Sequence, residues 1–445
     1  MQSTRSSDRS KRTPATGSLE KLVVLAGQAS KMLYGVLALK IISARFGLDV
    51  LGEVGQVLSI MSITLVFAIA GGGRLLTHEH AASDADKSEL LESNYASYLV
   101  AFGASSVIAI VLLISRGVLA TVIVGSEETT LIFVLMATVV PLYAMNGLGT
   151  AISAAYGHGT RIAVAMALSS ATGLLLLWFS STDSLAPNLA VLIMQGPINF
   201  VFLWFASLRS LRRSEMLGVR PRSSVAPEWR VLKRLMSYAT VMVIPVFLQQ
   251  TQRIINRAII SSELNDSAVG RWEAVIKLQE GSIQLIGSLL ILLFLPRFVL
   301  SPTKAVSEAR QFSVQVSAVF LLAAGVLALW GDHVLSLLYS AEASSASQSL
   351  AVNTLSDAAR ALYTTFQVVY LARERFAAFI TLELVAASML VLATLVGSVG
   401  SLERIFYLYA GQGLIMSAIS LSWFSLSRRR DSWGASIERM KVAAE

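Results

Sequence analysis

The sequence predicts an all-α polytopic membrane protein, with about 12 transmembrane helices in two six-helix lobes around a central cavity. Three observations predict this class. Hydrophobic residues make up 54% of the 445 residues and charged residues only 14%, against roughly 25% charged in an ordinary soluble domain. Long apolar runs recur along the chain, each near the roughly 20 residues that a helix needs to cross a bilayer. Lysine and arginine collect in alternate loops between these runs.

Twelve apolar runs are candidate membrane spans. They are continuous rather than alternating at every second residue, which is typical of membrane helices. The runs cover 22–43, 53–73, 94–115, 130–154, 161–180, 186–208, 236–259, 269–296, 311–331, 347–371, 376–398 and 403–426.

The basic residues predict that both termini face the cytoplasm. The N-terminal tail, the loop after span six and the C-terminal segment are rich in them, whereas the opposite loops hold little beyond Arg45, Arg116 and Arg404. Because such a bias reflects membrane topology, the net charge of +8 does not indicate a nucleic-acid partner. The basic loops are instead expected to attract anionic membrane lipid.

These features divide the chain into five segments. YGHGTR at 156–161 resembles YLARER at 370–375. Several such matches occur at a nearly constant separation along the chain, so we expect two lobes related by a parallel repeat. The predicted segments are a disordered cytoplasmic tail at 1–18, an N-lobe with spans one to six at 19–208, a basic cytoplasmic linker at 209–234, a C-lobe with spans seven to twelve at 235–427 and a cytoplasmic C-terminal tail at 428–445.

Span ten carries a polar face that is unusual for a membrane helix. Asn353, Asp357, Arg360, Thr364 and Gln367 follow one another at intervals of four, three, four and three, which places them on one side of a helix. A charge at mid-membrane costs about 2.5–3.5 kcal/mol, so this side is expected to face a wet cavity or another protein surface. Either Asp357 and Arg360 form a pair that locks helices together, or Asp357 holds a cavity-lining Arg360 in place.

Span seven shows a second polar face. Gln249, Arg253 and Arg257 recur at intervals of four, after Pro245, which is expected to kink the helix. Arg253 lies well inside the span. Arg257 lies near its outer end, where it either lines the cavity or extends its charged head to the interface.

Three other spans carry isolated or clustered charges. Glu273, Lys277 and Glu280 share one face of span eight and either neutralise one another or face the cavity. Lys31, at mid-depth in span one, is predicted to line the cavity. Glu383 in span eleven is neutral through desolvation, paired, or a proton carrier.

The buried cations outnumber the clearly mid-depth acids, which predicts an anionic ligand, and phosphate in particular because the arginine fork matches its oxygens. We found no nucleotide-binding loop and no histidine or cysteine pattern for a metal, so we expect no catalytic residue, metal or cofactor, and movement of a ligand rather than bond making. The predicted diphosphate-binding residues are Lys31, Arg253, Arg257, Lys277 and Arg360; the predicted ion-coupling or pairing acids are Asp357, Glu280 and Glu383; and the predicted polar cavity residues are Gln249, Asn353 and Gln367.

Several stretches resemble Wzx-type polysaccharide flippases, the O-antigen and enterobacterial common antigen translocases of the multidrug, oligosaccharidyl-lipid and polysaccharide (MOP) exporter superfamily. They are SAVGRWEAVIKLQEGSIQLIGSLLILLFLPRF at 267–298, FGLDVLGEVGQ at 46–56, and WGDHVLSLLYSAE followed by DAARALYTTFQVVYLARERF in the second lobe. The similarity covers nearly the whole membrane region.

The resemblance implies a transporter of the bacterial inner membrane that acts in lipopolysaccharide biosynthesis. It implies two lobes that alternate between inward and outward openings and an undecaprenyl-diphosphate-linked oligosaccharide as substrate. Lys31, Arg253 and Arg360 are the positions that best fit the family's diphosphate-binding role. The implied partners are H+ or Na+, a polysaccharide polymerase and a chain-length regulator.

Other functions stay open at this stage. A cation-coupled multidrug exporter of the same superfamily would favour an acidic, aromatic cavity. A membrane glycosyltransferase or polymerase would need a sizeable outer loop, and a peptidoglycan-precursor flippase usually has two further helices.

Overall fold

Twelve long helices make up most of the part of the chain that the structure describes. The computed structural model describes residues 18–69, 72–73, 75–76, 87–125, 127–156, 158–180, 184–213, 229–290, 294–295, 298, 302–373, 375–396 and 400–442, and all regular secondary structure in them is helical. The helices are α1 (Ser18–Phe46), α2 (Val50–Ile69), α3 (Lys87–Val118), α4 (Thr130–Ala155), α5 (Gly159–Phe179), α6 (Leu185–Leu203), α7 (Trp229–Glu263), α8 (Asp266–Leu289), α9 (Pro302–Leu338), α10 (Ser347–Ala372), α11 (Phe376–Val396) and α12 (Leu402–Val442). Each predicted span falls on one of them, which confirms the all-α prediction.

Nine of these helices, counted over the residues described above, are long and apolar enough to cross a membrane. The chain is therefore a multi-pass membrane protein. The remaining three are α8, α10 and α11, and α8 and α10 carry the charged residues of spans eight and ten. These three helices nevertheless hold most of the predicted site residues.

The structure describes only part of the predicted terminal tails and linker. The predicted N-terminal tail lies outside the described residues except for Ser18, and so does most of the linker, over 214–228. Helix α6 runs on through a π-helical turn at Trp204–Leu208 into a short helix at Arg209–Arg213. Helix α12 continues to Val442, so most of the predicted C-terminal tail is helical.

The chain forms two compact units. The N-terminal unit comprises the described residues of Met1–Phe46, Gln56–Val243 and Ile291–Pro296. The C-terminal unit comprises those of Gly47–Gly55, Ile244–Leu290 and Arg297–Glu445. Helices α2 and α7 each contribute residues to both units. The lobe boundaries given above stay a prediction.

Polar contacts between helices stabilise the N-terminal unit, in which α1 packs on α5 and α6 packs on α4 and α5. Asn199 Nδ2 donates to Asn146 Oδ1 at 2.8 Å, and Ser169 Oγ donates to Asn199 Oδ1 at 3.1 Å. Arg45 Nη1 donates to the Leu177 carbonyl at 2.9 Å. Because the last carbonyls of a helix have no partner within it, Arg45 caps the C-terminus of α5.

Helix α10 is the centre of the C-terminal unit, where it packs against α8, α9, α11 and α12. Small residues let α12 approach it closely. A Cβ built on Gly413 would lie 3.2 Å from the Ser356 carbonyl oxygen, and Ser417 Oγ donates to the Ala359 carbonyl at 2.6 Å. Such contacts are common between membrane helices, where close backbone approach drives packing. They place the polar face of α10 among other helices.

Candidate ligand-binding site

The polar residues of α10 lie in two different environments. Arg360, Thr364 and Gln367 line a pocket within the C-terminal unit. Asn353 and Asp357 are buried, at 1% and 2% exposure, and lie away from that pocket. The sequence predicts that this face of α10 lies against either a water-filled cavity or another protein surface. In the structure one half of the face lines a pocket and the other half is buried against protein.

The pocket has a volume of about 240 Å³. Helices α7, α10, α11 and α12 supply its polar lining, and Pro245, which interrupts the hydrogen bonding of α7, forms part of the wall. Those polar residues are Gln249, Gln252, Arg253, Arg360, Tyr363, Thr364, Gln367, Glu383, Tyr409 and Gln412.

Arg360 lines the pocket without a carboxylate partner. Its guanidinium carbon lies 5.1 Å from the centroid of the Tyr409 ring, within the range of a cation–π interaction. Nη2 donates to Gln412 Oε1 at a long 3.4 Å. In the described part of the chain, no carboxylate forms an ion pair with it. Most of its N–H donors therefore remain available to a ligand.

Asp357 does not pair with Arg360, although the two are three residues apart. Its Oδ1 accepts a hydrogen bond of 2.8 Å from Gln279 Nε2 of α8. The neighbouring Asn353 Oδ1 is buried without a hydrogen-bond partner. Asp357 and Arg360 form no direct ion pair here, but the two still interact electrostatically. Whether Asp357 positions Arg360 or helps to lock the helices together stays a prediction.

Glu383 enters the pocket from α11 and is held by neutral groups. Tyr363 donates its hydroxyl to Glu383 Oε1 at 2.7 Å, and Gln367 Nε2 donates to the same oxygen. We find no described partner for Oε2. Of the three possibilities left open for Glu383, a salt bridge is therefore not formed here.

Three of the predicted cavity cations form ion pairs. Arg253 pairs with Glu280, and Lys277 Nζ lies 2.6 Å from Glu280 Oε2. Arg257 pairs with Glu273, and each of these two residues is 1% exposed. Self-neutralisation on α8 thus holds for Lys277 and Glu280. Arg257 is enclosed by protein rather than extended to the interface.

The charged residues of spans seven, eight, ten and eleven that were considered for the site balance one another. They are four cations, Arg253, Arg257, Lys277 and Arg360, and four carboxylates, Glu273, Glu280, Asp357 and Glu383, so their formal charges sum to zero when all are ionised. A cationic surplus in a cavity that includes Lys31 stays a prediction. The pocket is distinguished by which of its charged groups form ion pairs. Among the residues that the structure describes, Arg360 forms no ion pair with a carboxylate and Glu383 forms none with a cation, although the two line the same pocket and interact electrostatically.

Two predicted site residues, Gln249 and Lys31, form none of these ion pairs. Gln249 lines the pocket with an exposed side chain. Lys31 belongs to the N-terminal unit, where its side chain is exposed on α1 and has no partner among the described residues. Its predicted role in a central cavity stays a prediction.

Sequence reasoning missed the residues that complete the pocket. Tyr409 accepts hydrogen bonds from Gln252 Nε2 at 3.2 Å and Asn256 Nδ2 at 3.0 Å, and Gln412 Nε2 donates to the Ala386 carbonyl at 2.7 Å. One signal was present. Gln252 and Asn256 continue the polar face of α7. A tyrosine or glutamine costs much less free energy in a membrane span than a charged residue does, so such residues are not singled out by the sequence alone.

Comparison with solved structures supports the fold. VcmN, a MATE transporter of Vibrio cholerae solved in a mutant form, matches with a TM-score of 0.73 at 15% identity, over 93% of this chain and 96% of that one. The chain has the MATE transporter fold.

Two further transporter structures match at similar levels. A multidrug resistance MATE family transporter of the MOP superfamily, in an outward-facing conformation, matches with a TM-score of 0.66. A MOP superfamily transporter from Pyrococcus furiosus, described as having a binding pocket of reverse polarity, matches with a TM-score of 0.69. Both are 13% identical, and each match covers 92% of this chain and 94% of the other.

Identities this low establish the MATE fold alone and do not identify a ligand. No protein-family model and no curated protein matches the sequence. The MATE fold nevertheless agrees with the all-helical membrane architecture that the sequence predicted.

Proposed function

We propose that the protein is a flippase that moves an undecaprenyl-diphosphate-linked oligosaccharide across the bacterial inner membrane by alternating access, with both termini in the cytoplasm. It acts as a transporter and makes or breaks no covalent bond. The observation that carries this proposal is Arg360, a guanidinium without a carboxylate partner in a polar pocket.

Phosphate is the ligand group that this arrangement favours. A guanidinium presents two parallel N–H donors that match two phosphate oxygens. Arg253 and Arg257 already have carboxylate partners, so an anion would have to displace Glu280 or Glu273 to reach them. To bind an anion, Arg360 would give up at most its contact with the Tyr409 ring and one long hydrogen bond to Gln412.

The direction of transport follows from charge. With the cell interior negative, moving one elementary charge across the membrane is worth about 2.3 kcal/mol per 100 mV, so export of a diphosphate is favoured. A returning H+ or Na+ would add to this drive. Asp357 and Glu383 are the best candidates to carry it because their described partners are neutral, whereas Glu280 is held by two cations.

A second candidate is a cation-coupled, MATE-like multidrug exporter. The MATE fold of the matched structures and the carboxylate in the pocket favour it. Arg360 in the pocket argues for the flippase, because a guanidinium that forms no ion pair with a described carboxylate suits an anionic ligand, whereas an exporter of organic cations would favour an acidic cavity.

Reconstitution into liposomes distinguishes the two functions. The assay follows a fluorescent undecaprenyl-diphosphate saccharide by quenching from outside and, in parallel vesicles, ethidium under proton or sodium gradients. We expect translocation of the lipid and none of ethidium. Arg360→Gln should slow lipid translocation roughly 10- to 150-fold. This factor corresponds to the free energy of the hydrogen bonds to a charged group that the variant loses. Arg310→Gln, at an exposed arginine of α9, is the matched control.

Two outcomes would overturn the assignment. Ethidium transport without lipid translocation favours the exporter. Lipid translocation that is equal in wild type and Arg360→Gln removes Arg360 from the site. Ion coupling is tested separately: a rate unchanged after both the potential and the proton and sodium gradients are collapsed excludes it.

A further inference from the structure

The pocket around Arg360 contains more hydrogen-bonding groups than a phosphate needs. The diphosphate of the proposed substrate is esterified at both ends and only accepts hydrogen bonds, so donors alone would serve it. The pocket also presents acceptors, among them the Glu383 carboxylate and the amide oxygens of Gln249 and Gln252. A ligand that fits both kinds of group must donate as well as accept.

The groups that remain available surround a single space. Gln249 has no described partner, and neither has the hydroxyl of Thr364, which lies one helical turn from Arg360 on α10. Glu383 uses Oε1 for Tyr363 and Gln367, which fixes the carboxylate and leaves Oε2 for a ligand. The pocket therefore offers a cation, an anion, an amide and a hydroxyl to one bound molecule.

Sugar hydroxyls match this combination. Each hydroxyl donates one hydrogen bond and accepts others, so a ring with neighbouring hydroxyls can donate to the Glu383 carboxylate and exchange hydrogen bonds with Gln249. The volume of about 240 Å³ suits one ring and excludes an oligosaccharide, because even drug-sized ligands occupy sites of roughly 300 Å³ or more.

We propose that this pocket binds the monosaccharide attached directly to the diphosphate, with Glu383 and Gln249 recognising its hydroxyls while Arg360 holds a phosphate oxygen. This proposal rests on the proposed function and extends it from the phosphate to the sugar. It makes Glu383 and Gln249 determinants of which sugar is accepted.

Binding of soluble probes to the purified full-length protein in detergent tests the proposal. The probes are hexose 1-phosphates and N-acetylhexosamine 1-phosphates, with inorganic phosphate as the ligand that lacks a ring, and the measurement is isothermal titration calorimetry. We expect at least one sugar 1-phosphate to bind roughly tenfold or more tightly than inorganic phosphate, the value of a charge-assisted hydrogen bond.

Two variants isolate the sugar contacts. Glu383→Gln keeps an acceptor oxygen for Tyr363 and Gln367 but replaces Oε2 by a donor, so the preference for the sugar phosphate over inorganic phosphate should disappear. Gln249→Ala changes an exposed residue and should reduce the same preference severalfold without affecting folding. Glu403→Gln, at an exposed glutamate, is the control.

The possible failures are distinguishable. Sugar 1-phosphates that bind no better than inorganic phosphate, or a preference that survives in both variants, overturn the sugar site and leave the flippase proposal standing, provided that Arg360→Gln still abolishes phosphate binding. No binding of any phosphate probe counts against both proposals.

Discussion

The guanidinium of Arg360 and the ring of Tyr409 lie 5.1 Å apart, and this contact holds the cation on α10 against α12. Tyr409 is itself fixed by the hydrogen bonds that its hydroxyl accepts from Gln252 and Asn256. The aromatic ring thus takes the place that a carboxylate would take in an ordinary buried ion pair. It orients the arginine without forming an ion pair with it.

Replacement of the ring should therefore weaken anion binding. In Tyr409→Leu the guanidinium loses a contact worth about 0.5–2 kcal/mol, so inorganic phosphate should bind roughly 2- to 30-fold more weakly. Tyr409→Phe keeps the ring and should bind phosphate within about twofold of wild type, although it loses the hydroxyl. Equal affinity in wild type and Tyr409→Leu, measured by calorimetry, would show that the ring has no part in positioning Arg360.

The buried pair of Arg257 and Glu273 is expected to be structural. Removing one partner leaves an uncompensated buried charge, which typically costs about 3–5 kcal/mol, whereas replacing both partners is often nearly neutral. Arg257→Met should thus lower the midpoint of thermal unfolding in detergent strongly, and Arg257→Met with Glu273→Gln should recover most of it. A double variant as unstable as the single one would contradict the pairing.

Gly55 is required at its position by the same pair. A Cβ on Gly55 would lie 2.5 Å from the carboxyl carbon of Glu273, whereas one on Gly35 would meet nothing within 4 Å. Gly55→Ala should therefore displace Glu273 from Arg257 and lower the unfolding midpoint. Gly35→Ala is the matched control and should be neutral or slightly stabilising, because alanine favours a helix by up to about 1 kcal/mol over glycine.

The interaction of Gly55 with Glu273 has a second test. In a Glu273→Ala background the obstructing carboxylate is absent, so adding Gly55→Ala should cost little further stability. Effects of contacting residues are not additive. A full and additive loss in the double variant would mean that Gly55→Ala acts on another neighbour.

The sequence predicted the helices well because their signal is local. Each predicted span falls on an observed helix, since a run of about 20 apolar residues has few alternatives in a bilayer. The ends were predicted less well. Span nine was placed at 311–331, but α9 extends from Pro302 to Leu338, because polar residues that end an apolar run do not end a helix.

The site was predicted in part. Periodicity placed Arg360, Thr364 and Gln367 on one face of α10, and all three line the pocket. Which charges pair could not be read from spacing along the chain. Arg253 lies on α7 and Glu280 on α8, so their pairing depends on how the chain folds and not on their separation in the sequence.

The close approach of α12 to α10 yields the last prediction. A Cβ on Gly413 would lie 3.2 Å from both the carbonyl oxygen and Oγ of Ser356, while one on Gly411 would meet nothing within 4 Å. The two extra methyl groups of Gly413→Val cannot fit there, so α12 should move away from α10 and carry Gln412 away from Arg360.

Phosphate affinity reports this movement. We expect Gly413→Val to weaken binding of inorganic phosphate roughly tenfold or more, in line with the 1–3 kcal/mol that overpacking costs. Gly411→Val adds the same side chain two residues away, on open surface, and should bind phosphate as wild type does. If both variants bind equally well, the spacing of α10 and α12 does not control the pocket. If both lose binding, the cause is the β-branched residue in the helix rather than the contact with Ser356.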